Sequence, residues 1–273
     1  MRLVDAQVHI WNGGTPVHIH RQVPSYTAGE LLRDMDEAGV DGALLHPPSW
    51  DPHANQVAID AVRLAPERLA VLGFFDVAAS DARSRLHALL AEPGVLGLRF
   101  ALLKPEEREW LTDGSMDWLW PEAERLGVPV GLLVPHQLAV VDAIAGRHPG
   151  LRLMVDHMAR PRGSRDASGF TDLDDLLALS RHPNVAVKAT GVPSYSSEPY
   201  PYRNIQPYLR RIFDAFGPRR MFWGTDVTRM PCSWRECVTL FTEELDWLAG
   251  RDLELVMGEA LCEWVGWTSD SSC

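Results

Sequence analysis

Cysteine is scarce in this chain: four among 273 residues, at 232, 237, 262 and 273, none of them in a CxxC pair. That excludes a paired-cysteine zinc or redox motif and fits free thiols in a reducing compartment. No stripe of Lys and Arg is present either, and 26 basic against 37 acidic residues leave a formal net charge of -11. Phosphate backbones would need the opposite balance, so nucleic acid is not expected as a partner. No segment approaches the roughly 18 consecutive apolar residues of a membrane span, and no basic stretch followed by an apolar region opens the chain. These absences point to a cytoplasmic protein that meets neither membrane nor nucleic acid and whose partner is a small molecule. Repeats, low-complexity blocks and interdomain linkers are also missing.

What is present is a hydrophobic content of 46%, enough for a substantial core, arranged as short apolar runs between stretches of helical periodicity. Strands are expected at 3–10, 42–47, 69–75, 95–100, 128–134, 151–157, 185–190 and 221–226. The intervening segments, from TAGELLRDMDEAG to SWRECVTLFTEELDWLA, read as helices, and several end in Gly or Pro, as helix stops do. A last helix is expected at about 251–264. Eight alternations with nearly continuous apolar strands predict an α/β fold, a single (β/α)8 TIM-type barrel over residues 1–267 with a short tail at 268–273. A doubly wound open sheet is the alternative.

Residues two apart on a strand share a face. Followed along each strand, that rule brings a polar group to seven strand ends: His9 after Asp5 and Gln7, His46, Arg99, His136, His157, Lys188 with Thr190, and Asp226. Burying four histidines, an arginine, a lysine and an aspartate at one barrel mouth is costly without a function, so the expected active site lies there. Asp156 is expected on the opposite face as a supporting carboxylate. Histidines 18 and 20 form a loop pair whose role stays open, since loop histidines without partners are usually solvated. Trp11 and Trp50 follow strand ends and are candidates for an apolar pocket wall.

Five motifs then occur in order: DAQVHIW at the first strand, GLRF, DHMARP, NVAVKATG and FWGTD. Together they resemble the amidohydrolase superfamily, in the lactonase branch that contains fuconolactonase-like and 2-pyrone-4,6-dicarboxylate lactonase-like enzymes and related decarboxylases. The resemblance covers nearly the whole chain and implies an amidohydrolase-like barrel that opens a small cyclic ester or related cyclic amide. It implies Asp226 as the base that deprotonates water, with His157 and His9 at the metal or the substrate carbonyl. Arg99 and Arg160 are implied as partners of a substrate carboxylate or oxyanion, because guanidinium binds such groups through parallel hydrogen bonds. His136, Lys188, His46, Gln7 and Trp11 complete the expected substrate-binding set.

The departure from the family is Gln7, which stands where the motif has its first histidine. Amide oxygen is a poorer zinc ligand than imidazole. A divalent ion such as zinc or manganese on His9, His157 and Asp226 would therefore be held less tightly, and a metal-free hydrolase is equally compatible. Two other readings stay open: a nonoxidative decarboxylase of a small carboxylated ring, and a degenerate barrel that binds without converting. The substrate expected is an anionic or polar catabolic intermediate, and aromatic residues in the loops leave a homo-oligomer open.

Overall fold

The computed structural model describes residues 1–268; residues 269–273, nearly all of the expected tail, lie outside the described residues. Eight parallel strands stand in chain order: β1 (Val4–Val8), β2 (Gly42–Leu45), β3 (Leu69–Gly73), β4 (Val95–Ala101), β5 (Val130–Leu133), β6 (Leu153–Val155), β7 (Val185–Ala189) and β8 (Met221–Trp223). Helices alternate with them: α1 (Ala28–Ala38), α2 (Ala54–Leu64), α3 (Ala82–Leu90), the short α4 (Pro105–Glu109), α5 (Leu119–Leu126), α6 (Leu138–Arg147), α7 (Leu173–Ala178), α8 (Gln206–Phe216) and α9 (Trp234–Thr239). After them, α10 (Gly250–Glu254) and α11 (Ala260–Val265) flank a wider turn within the expected last helix. None of the helices described is long and apolar enough to cross a membrane.

The strands are apolar without alternation because both of their faces are buried. Val4, Ala6, Leu44, Ala70, Leu72, Met154, Ala186 and Phe222 fill the lower barrel, and Leu255, Ala260, Leu261, Val265 and Trp267 close it from below. A larger set, including Val8, Leu45, Val71, Leu98, Val130, Leu132, Leu153, Val155 and Val187, faces the helices. Helix starts follow local chemistry: Thr27 and Glu30 form a reciprocal cap at α1, and Ser233 and Glu236 another at α9. Each such cap satisfies amide groups that have no partner within the helix.

The barrel's seam lies between β8 and β1. The Asp226 N–H donates to the Gln7 carbonyl at 2.8 Å. The buried Asp5 carboxylate accepts from the Thr225 N–H (2.9 Å), the Thr225 hydroxyl (2.5 Å) and the Trp234 indole (3.0 Å). Gly224 permits this approach, since a Cβ there would meet the Ala6 nitrogen at 2.8 Å.

Candidate active site

Most strands stop short of their expected ends, and the residues beyond them turn inward to build the mouth. Strand β1 carries a bulge: Asp5 pairs with Ala43 and Val8 with Leu45, so Ala6 and Gln7 together oppose Leu44. A bulge moves every later side chain to the other face. Gln7 and His9 therefore face inward, while Asp5, expected on their face, turns outward to Trp234 of α9. Burial pushes the Asp5 carboxyl up to about 7 against the four hydrogen bonds it accepts.

Strand β6 also departs from simple parity. Leu153 and Val155 face the helices, which should send His157 outward. Instead His157, Met158 and Ala159 adopt left-handed backbone, with φ of 52°, 56° and 57°, and the turn swings His157 into the barrel. Left-handed L-residues cost roughly 1–2 kcal/mol each, so the turn needs external support. Arg160 supplies it: its guanidinium donates to the Met158 carbonyl (2.9 Å), the Gly169 carbonyl (2.7 Å) and Asp172 (2.5 Å). Asp156, expected on the opposite face, is inside the barrel, 2.8 Å from both the Arg99 Nε and the Lys188 Nζ.

Two layers result. In the upper one, Asp226 lies with its Oδ1 3.4 Å from His9 Nε2 and 3.9 Å from His20 Nδ1, and its Oδ2 3.6 Å from His157 Nε2. The Arg229 Nε donates to Oδ2 at 2.6 Å. The lower layer contains Gln7, His46, Lys188, Asp156 and Arg99. Lys188 Nζ lies 3.4 Å from the Gln7 Oε1 and 3.1 Å from the His46 Nε2. With its oxygen facing that ammonium, the Gln7 amide turns its nitrogen to His157 Nε2, 3.0 Å away.

The expected residues do not all converge. His9, His157 and Asp226 meet, with Gln7, Lys188, His46 and Arg99 directly around or beneath them. His136 stays apart: its strand's residues of like parity, Val130, Leu132 and Val134, face the helices, and its exposed ring lies 3.9 Å from Asp172. Trp11 is buried, donates its indole N–H to the Val23 carbonyl, and packs on Tyr26 and Trp50 instead of lining the cavity. Arg160 clamps the left-handed turn, although its buried Nη2 has no partner.

Two central residues fall outside the expected set. Arg229 follows Asp226 by three residues, and the left-handed Asp226 (φ 57°) folds the chain back so that they pair. Gly191 makes room for it, since a Cβ there would lie 2.1 Å from the Arg229 Nη2. His20 arrives because its loop docks on the β8 loop: the Arg21 N–H donates to the Thr228 carbonyl, and His20 Nδ1 lies 2.8 Å from the Thr228 hydroxyl. The residue spacing of TDVTR offers a signal for Arg229; nothing in the sequence signals the loop docking. His18 is exposed.

Burial fixes the charge states. It lowers His157 to about 3, with Arg229 adding to the effect, and lowers His20 to about 3. His9 is also lowered by burial. For Asp226 burial opposes ionisation, but the Arg229 guanidinium paired with it at 2.6 Å helps hold the carboxyl below the usual range. The His9 Nδ1 lies 2.5 Å from the His46 carbonyl, which places its proton there and leaves Nε2 as a lone pair. That lone pair faces the Asp226 Oδ1, which is buried without a hydrogen-bond partner.

Two facing acceptors call for a proton donor or a cation between them. His9, His20 and Asp226 have ligand atoms within 4.8 Å of one another, and three such donors fit a catalytic divalent ion. The grouping has His20 where His157 was expected; the His157 Nε2 lies 3.0 Å from the Gln7 amide nitrogen. A cavity of about 220 Å³ opens beside this centre, lined by His9, His20, Arg99 and Arg162 and by the aromatic rings of Trp50, Phe75 and Trp110.

Residues 4–271 match the amidohydrolase family model, and the chain belongs to that family. It is 28% identical to L-fucono-1,5-lactonase of Burkholderia ambifaria over 163 residues, 58% of this chain and 54% of that protein. The match thus spans about half the length of that relative. It is 27% identical to 4-sulfomuconolactone hydrolase of Hydrogenophaga intermedia over 256 residues, 83% of this chain and 77% of that protein. The fold superposes on a zinc-bound amidohydrolase from Burkholderia multivorans with a TM-score of 0.83 at 18% identity, covering 97% of this chain and 99% of that one.

Proposed function

We propose that the protein is a lactonase that hydrolyses a small cyclic ester with water activated at Asp226. The observation that carries this reading is the unpartnered Asp226 Oδ1 facing the His9 Nε2 lone pair at 3.4 Å. A water that donates one hydrogen to each acceptor satisfies both and presents its oxygen to the cavity. Arg229 keeps Oδ1 in that role by holding Oδ2.

As the water oxygen bonds to the ester carbon, its proton passes to Asp226. Geometry decides this step more than basicity does. The low pKa of Asp226 helps the second half, because its conjugate acid readily releases the proton to the ring oxygen when the carbon–oxygen bond breaks. The product is an open-chain hydroxy acid. Arg99 and Arg162, which line the cavity, supply positive charge for the developing oxyanion. A divalent ion on His9, His20 and Asp226 would polarise the carbonyl and lower the pKa of water.

Lactonase-type relatives support the reaction class, and the cavity's size supports a small-molecule substrate. The test is acid release from a panel of lactones at constant pH. The reading expects one equivalent of acid per lactone consumed, from wild type and not from Asp226→Asn. Loss of carbon dioxide in place of ring opening would replace it with a decarboxylase.

A further inference from the structure

The cavity is divided in character, and the division bears on the substrate. Part of its lining is cationic: Arg99 and Arg162, together with His9. Next to them a second, smaller cavity is bordered by Arg160, Arg162, Tyr195 and Arg229, where the buried Arg160 Nη2 has no partner. The apolar part of the lining, the arm, comprises Trp50, Phe74, Phe75, Phe100, Leu102 and Trp110. Trp50 begins that arm at the reacting groups, with its ring 4.8 Å from that of His20 and 5.9 Å from that of His9.

Polar groups in the arm are few beside its aromatic and aliphatic surface. Ser49 supplies one hydroxyl; Asp76 and Glu107 stand among the lining residues, and Glu107 is already paired with Lys104 at 3.0 Å. A sugar lactone carries a hydroxyl on most ring carbons. Burying those against indole and phenyl faces strips them of water without replacement. A flat apolar substituent instead removes its own and the arm's apolar surface from water, and it can stack on the aromatic rings. An anion is equally unsuited to the arm, which holds two carboxylates and no free cation.

We propose, resting on the lactonase reading, that the substrates are lactones whose ring bears a flat apolar group of aromatic size. The apolar group occupies the Trp50–Phe75–Trp110 arm and an anionic group faces Arg162. A polyhydroxylated substituent is disfavoured in the same arm. Trp110 and Phe75 are thereby specificity residues, acting on binding of the substituent and not on the bond that breaks.

The test uses cyclic ethers, which cannot be hydrolysed, so that binding is read apart from turnover. Calorimetry on the full chain compares 5-phenyltetrahydrofuran-2-carboxylate with its trihydroxylated, phenyl-free counterpart. The phenyl compound should bind at least about 10-fold tighter, and Trp110→Ala should remove most of that difference without changing the weaker ligand. Trp110→Leu, which keeps apolar bulk, should retain more of the preference and guards against a folding defect in the alanine variant. Equal or tighter binding of the hydroxylated compound, or equal losses for both on Trp110→Ala, would overturn the proposal. The phenyl preference without hydrolysis of any lactone would leave the arm standing and remove the lactonase reading. Efficient hydrolysis of sugar lactones would do the reverse.

Discussion

The two ends of the barrel are built by different rules. Below, Val4, Ala6, Leu44, Ala70 and Phe222 pack onto the closing segment at 255–267. Above, a bulge in β1, three consecutive left-handed residues after β6 and a left-handed Asp226 hold the ionisable groups. At the mouth, irregular backbone aims side chains. The strain is concentrated where chemistry is proposed and is offset by buried hydrogen bonds such as those of Arg160.

The comparison breaks most sharply at Asp226. Asp226→Asn keeps a residue that tolerates left-handed backbone, so kcat/KM for lactone hydrolysis should fall roughly 10³-fold while the fold persists. Steady-state kinetics beside a thermal melt check this; loss of folding in step with activity would make Asp226 structural.

The lower layer should behave in the opposite way. Asp156→Asn leaves Lys188 and Arg99 facing each other without their shared carboxylate, and unfolding stability should drop by about 3 kcal/mol. The pH dependence follows from sign: burial raises the Asp156 carboxyl, but Lys188 and Arg99 outweigh it and hold it below the usual carboxylate range. Its contribution is therefore complete above the unfolded value of about 3.9, begins to decline there, and is lost fully only as pH falls through the much lower folded value. Urea titrations at pH 7 and pH 3.5 should show the gap between wild type and variant still largely present at the lower pH, narrowed by less than about 1 kcal/mol.

Arg229→Met should cost kcat about 10-fold or more with KM less affected, since the guanidinium orients Asp226 and does not reach far into the cavity. An equal effect on both constants would instead place Arg229 on the substrate.

Much of this architecture was legible in the residues and part of it was not. Strand and helix periods identify all eight β/α units, because burial on both strand faces leaves an unmistakable pattern. Parity then fails where the backbone leaves regular geometry. The β1 bulge has no Gly or Pro to mark it and turns Asp5 outward. His157, Met158 and Ala159 include no Gly or Asn, yet all three are left-handed, which brings His157 inward beside Asp156, whose inward face follows from Met154 two residues before it. On β5 the rule follows the outward face and selects His136, while Gly131 and Leu133 are the inward residues. His20 depends on a loop docking against β8, a long-range contact that no local pattern records.

The smallest predicted effect makes the contrast within one residue type. Ala159→Gly relieves a left-handed alanine and should leave stability unchanged or raise it by up to about 1 kcal/mol. Ala58→Gly, in the buried face of α2, should lower stability by about 1 kcal/mol. Destabilisation of similar size at both sites would show that the β6 turn carries no strain.

The most direct test of the account is acid release from aryl-substituted lactones at constant pH, with carbon dioxide monitored, for wild type and Asp226→Asn in parallel. The account predicts one equivalent of acid per lactone, no carbon dioxide, and near-complete loss in the variant. Undiminished hydrolysis by Asp226→Asn, or no ring opening by wild type across the panel, would contradict it.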